Sequence, residues 1–163
     1  MQLLEQINTI LNRLLVFIAG FFLVAMITMT CANIFLRIFW TPIRGTYELM
    51  GFFGAVMTAF ALGYTQTRRG HIAVDVLVNA FSVRLKNILF IISNCLCSLF
   101  FIVAAWQLAV KARTLMRTGE VTETLRIIYY PFTIAVALGC AVLALVMVTD
   151  LMRYLLSLKE GNH

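Results

Sequence analysis

The chain has 163 residues, 62% hydrophobic and 12% charged, where a soluble domain is roughly half apolar and about a quarter charged. So few charges cannot cover the apolar surface of a water-soluble fold of this size, so lipid is the solvent for most of the chain. The net charge of +6 fits Lys and Arg gathered at helix ends and not a nucleic-acid partner, because no stretch joins a basic run to exposed aromatics.

A membrane span needs about 20 mostly apolar residues, and four stretches qualify. The first covers residues 14–36, bracketed by Arg13 and Arg37. It is too long for a signal-peptide core and no small-residue cleavage site follows it, so it is expected to stay in place. The second covers 47–67, with Glu48 at its start and Arg68 and Arg69 after its end. The third covers 88–110, after Arg84 and Lys86 and before Lys111 and Arg113. The fourth covers 127–151, opened by Arg126 and closed by Arg153. Its Pro131 falls in the first helical turn, where a missing N–H has no partner to lose. The predicted fold is therefore an all-α membrane protein, one four-helix transmembrane domain over residues 1–163, without internal repeats or linkers.

Residues 72–82 are apolar but too short to cross. Asp75, Asn79, Ser82 and Lys86 follow a helical spacing that gathers them on one polar stripe. The segment either extends the third span or forms an amphipathic helix lying in the membrane interface. The interfacial reading is adopted because it keeps Arg84 and Lys86 out of lipid. Together with Arg68 and Arg69, these cations are candidates for lipid headgroups. Basic residues divide almost evenly between the two sides, so charge orients the chain weakly; both termini inside is the expectation.

No ionisable residue lies in the middle of a span, and Pro42 and Pro131 are far from span centres. A self-sufficient ion-coupled transporter needs such residues or broken helices near the midplane. Cys31, Cys95, Cys97 and Cys140 all lie within apolar runs, and His71 and His163 are the only histidines. No metal, cofactor or catalytic constellation is expected from this set. Gly51, Ala55, Ala59 and Gly63 form a small-residue strip along the second span, suited to close helix packing in this chain or against another. Asn94 and Ser98 make a short polar stripe on the third, the kind of pair that bonds across helices.

The residues after the second span narrow the reading. Arg69-Gly70-His71-Ile72-Ala73-Val74-Asp75, with Trp40, Arg44 and Glu48 upstream, resembles the small membrane subunit (DctQ-like) of tripartite ATP-independent periplasmic (TRAP) transporters. The specific part of the resemblance runs from Trp40 to Leu77; the other spans match as apolar helices. It implies a bacterial inner-membrane protein with cytoplasmic termini. Its partners would be membrane lipids, a much larger membrane subunit holding sodium and substrate sites, and a periplasmic binding protein delivering an organic anion such as a dicarboxylate or sialic acid. The chain itself would be a scaffold, not an enzyme. By matching positions, Arg44, Glu48, Arg69, His71 and Asp75 become candidates for assembly or orientation, with Glu48 pairing to Arg44 and Asp75 to Arg68 or Arg69. Arg37, Arg44 and the loop from Lys111 to Arg126 would face the periplasm. The competing readings are a stand-alone channel or exporter, which wants a membrane-embedded acid, and a thiol–quinone redox enzyme, which wants cysteines in outer loops. A haem-bearing cytochrome would want facing histidines.

Overall fold

Backbone groups in lipid must find partners within their own segment, which leaves the helix as the element for each apolar run. The computed structural model describes residues 2–67 and 83–160. It contains α1 (Gln2–Phe39), α2 (Thr46–Thr67), α3 (Val83–Thr118) and α4 (Tyr130–Glu160). All four are long and apolar enough to cross a membrane. The protein is an all-helical, multi-pass membrane protein. The proposed interfacial helix at 72–82 lies outside the described residues, as do Arg68, Arg69, His71 and Asp75.

Three of the helices, α1, α3 and α4, outrun their hydropathy. At 38 residues, α1 is about 57 Å long, nearly twice the roughly 30 Å of hydrocarbon. α3, with 36 residues, carries Lys86 at one end and Lys111, Arg113 and Arg117 on its last turns. Charge ends the lipid-solvated stretch but not the helix.

The four helices do not close into a square. α1 packs on α2, α2 on α4 and α4 on α3; α1 touches α4 only lightly, and α3 makes no comparable contact with α1 or α2. The result is an open layer in the order α1–α2–α4–α3. In the most apolar windows, 39% of α4 residues are buried but only 11% in α1 and in α3. The two outer helices thus present most of their circumference outward, including Phe17, Phe21 and Phe35 on α1 and Leu96, Phe100 and Trp106 on α3.

One core joins the first three members of the layer: Leu15 and Ala19 from α1, Val56, Ala59 and Phe60 from α2, and Val142 from α4. Gly139 is the point of closest approach. A Cβ there would meet the Ala59 carbonyl oxygen at 2.7 Å and the Ala59 Cβ at 2.8 Å. Nearer the helix ends that form the α1–α2 and α3–α4 connections, Phe52 stacks on Phe132 with ring centroids 4.3 Å apart. Polar side chains fasten the opposite half. Asn8 of α1 donates to Thr149 Oγ1 of α4 at 3.0 Å; Asn12, almost fully buried, donates within α1 to the Asn8 carbonyl at 2.9 Å. Between α3 and α4, Asn94 Nδ2 donates to the Met147 carbonyl at 3.4 Å and Tyr154 donates to Asn87 Oδ1 at 2.7 Å. Ser98, by contrast, donates to Cys95 in its own helix.

Candidate functional site

The most elaborated part of the molecule is the end where α1 stops, α2 starts and α3 returns to α4. α3 terminates at Gly119, whose φ of 66° is the left-handed conformation that favours glycine, and whose N–H reaches the Leu115 carbonyl at 3.0 Å. The chain then doubles back as a short hairpin. Val121 and Ile128 form an isolated bridge, and the Thr122 N–H donates to the Ile127 carbonyl at 2.9 Å. The Ile127 N–H in turn donates to Thr122 Oγ1 at 3.1 Å, and Thr122 is buried. Arg126 takes up a positive φ of 52° at the turn.

Two residues at the start of α2 hold this hairpin. The Glu48 carboxylate accepts from the Thr124 N–H at 2.8 Å through Oε1 and from the Leu125 N–H at 3.1 Å through Oε2. A carboxylate bridging two N–H groups is a charge-assisted pair of bonds with defined direction. Just before the helix, Gly45 has φ 76°, and the Leu125 side chain fills the space a Cβ would need. Thr46 closes the turn by donating to the Ile43 carbonyl at 2.8 Å, while the Ile43 N–H donates to Asn33 Oδ1 of α1 at 2.8 Å. Parts of α1, α2 and the α3–α4 hairpin are thereby tied into one cap.

This arrangement corrects one expectation. Glu48 does not pair with Arg44; its carboxylate is engaged by the hairpin. The reason is local. α2 begins at Thr46, and the positive φ of Gly45 turns the chain away, so Arg44 is not one helical turn from Glu48 on a common face. Arg44 is exposed. The cap accordingly presents Arg37, Arg44, Lys111, Arg113, Arg117 and Arg126 outward, with Glu120 and Glu123 the exposed acids of the hairpin. Trp40 and Tyr47, both more than four-fifths exposed, stand beside them.

The small-residue strip of α2 divides into halves with different surroundings. Ala59 and Gly63 are buried, the first against Gly139 and the second against Asn12 and Val142. Gly51 and Ala55 are exposed, and a Cβ on Gly51 would meet nothing within 4 Å. Arg84 and Lys86 lie in the first turns of α3. Among the described residues no group of His, Cys, Asp and Glu is arranged to hold a metal.

Several contributors escape a sequence reading. Thr124 and Leu125 act through their backbone N–H groups, which leave no signature in side-chain identity. Gly45 before a helix start and Gly119 after a helix end are legible as turn residues, and that signal was available.

The family model for tripartite ATP-independent periplasmic transporters, DctQ component, matches residues 26–156. The chain belongs to this family. The match begins inside α1 and ends inside α4, so it takes in the whole cap and the α2–α4 contact. No curated protein matches the chain. As a DctQ component, the protein is one part of a three-part transporter.

Proposed function

We propose that this DctQ component is the scaffold subunit of a sodium-coupled importer. It supports a larger membrane subunit that carries the sodium and substrate sites, and the substrate is an organic anion brought by a periplasmic binding protein. The observation that carries this reading is the open layer. A self-contained channel or carrier surrounds its own path with helices, whereas α1 and α3 here turn most of their surface outward. Such a layer widens whatever it is attached to and gives a moving partner a fixed wall. In this reading the protein sits in the bacterial inner membrane with both termini in the cytoplasm, and the basic cap faces the periplasm within reach of the binding protein. Arg69, His71 and Asp75, outside the described residues, stay candidates for assembly on the strength of the family resemblance alone. The exposed Gly51–Ala55 half of the α2 strip is the surface offered to the larger subunit.

Purification in a mild detergent tests the assignment. A much larger multi-span protein in a one-to-one ratio is the expected companion; a chain that emerges alone or as a homo-oligomer overturns the scaffold reading. The two halves of the strip give a sharper check. Gly51→Leu is expected to abolish co-purification of the larger subunit while the melting temperature of the isolated chain stays within error. Ala59→Leu should lower that melting temperature directly, because its side chain enters the chain's own core.

The tie between Glu48 and the hairpin gives a further expectation. Glu48→Gln keeps the shape but loses the charge and can offer only one carbonyl oxygen. Hydrogen exchange at Thr124 and Leu125 should accelerate severalfold, with amides in the middle of α2 unchanged. Equal exchange in the two proteins would show that the hairpin holds itself.

A further inference from the structure

The seam between α3 and α4 carries a surface groove in two parts that share Ala109 and lie end to end, with volumes of about 260 and 470 Å3. Its lining is mostly alanine, Ala105, Ala109 and Ala112 from α3 and Ala137, Ala141 and Ala144 from α4, with Val148 at the end away from the cap. Longer side chains, Ile102, Trp106 and Met116 on one side and Ile134 and Leu145 on the other, stand along its edges and are substantially exposed. Arg113 lines the end nearest the cap.

We propose that this groove is a binding site for one phospholipid, with an acyl chain along the alanine floor and the phosphate on the Arg113 guanidinium. Three features point to that occupant. From Arg113 to Ile102 the rise of α3 is about 16 Å, close to the roughly 15 Å thickness of one leaflet's hydrocarbon. A helix is about 10 Å across, and the raised edges keep a second backbone off the floor, while a hydrocarbon chain passes between them. Arg113 has no carboxylate partner among the described residues, sits where α3 leaves its apolar run, and offers the planar donor set that matches a phosphate. Its flexible stem lets the charge reach headgroup level while the methylenes stay on apolar surface.

The test uses the full chain with any subunits that accompany it, reconstituted in vesicles of phosphatidylethanolamine doped with an analogue carrying a photoreactive diazirine on one acyl chain. Adducts are expected to concentrate on residues 102–116 and 134–148 around the groove, not on equally exposed positions of α3 such as Leu96 and Leu99. Ala109→Phe fills the floor and should remove the groove adducts, whereas Val103→Phe, outside the lining and half exposed, should leave them. Arg113→Gln should reduce phospholipid retained through delipidation, read by native mass spectrometry, by about tenfold, as the loss of one charge-assisted phosphate contact implies. Adducts spread evenly over α3, or unaffected by Ala109→Phe, would overturn the site. So would loss of the larger subunit, and not of lipid, on Ala109→Phe, which would make the groove a helix seat. If the Val103→Phe protein fails in the same way as Ala109→Phe, general disruption explains both and the proposal falls.

Discussion

Gly139→Leu should lower the melting temperature of the detergent-solubilised chain by roughly 10 °C, the equivalent of about 3 kcal/mol for a domain of this size. The cause is the closeness of α2 and α4 at this level. The first atom of any side chain at 139 meets the Ala59 backbone and not the yielding end of a neighbour. Backbone can give way only by moving a helix, and moving α2 from α4 opens the core formed by Val56, Phe60 and Val142. Gly139→Ala should show the same effect in smaller degree, and Ala59→Gly should restore part of it by removing one of the opposing atoms. A Gly139→Leu chain that melts like the parent would mean that the two helices lie farther apart than described.

Gly45→Ala should be the next most damaging single change. A left-handed conformation costs a non-glycine residue about 1–2 kcal/mol, and the new methyl also enters the space held by Leu125. These contributions separate in a double-mutant cycle. Leu125→Ala vacates the space, so Gly45→Ala combined with Leu125→Ala should be less destabilised than the sum of the singles, leaving the backbone share behind. Strict additivity would show that Leu125 does not rest on Gly45. In the assembled transporter, Gly45→Ala is also expected to depress uptake more than assembly, because it shifts the hairpin of the cap while leaving the α2–α4 contact alone.

Hydropathy located every span and placed α2 to within one residue, but it misplaced ends of the other three, for different reasons. α1 and α3 run on past residues 36 and 110 because a helix satisfies its own backbone whether or not lipid surrounds it. α4 starts at Tyr130, after the predicted 127, because residues 127–129 are already engaged in the hairpin with 120–122. The small-residue strip announced a close-packing face, yet among the described residues only its Ala59 and Gly63 are buried. Periodicity identifies a face without saying how far along it a partner extends. Glu48 was legible as a special residue but not its partner, which comes from 76 residues away through backbone groups. The hydrogen bond from Asn94 to Met147 follows the expectation for a polar side chain within a span, whereas Ser98 turned back on its own helix.

The order α1–α2–α4–α3 has a consequence for synthesis. α1 and α2 can pair as soon as both have left the ribosome, but α3 enters the bilayer before the helix it packs on exists. Until α4 follows, Asn94 faces lipid with its amide unsatisfied, and the alanine floor of α3 is bare. A chain interrupted between residues 118 and 130 would therefore hold a sound helical hairpin and one stranded helix with a polar mark. The arrival of α4 brings the Met147 carbonyl to the Asn94 amide and supplies the other wall of the alanine-lined groove.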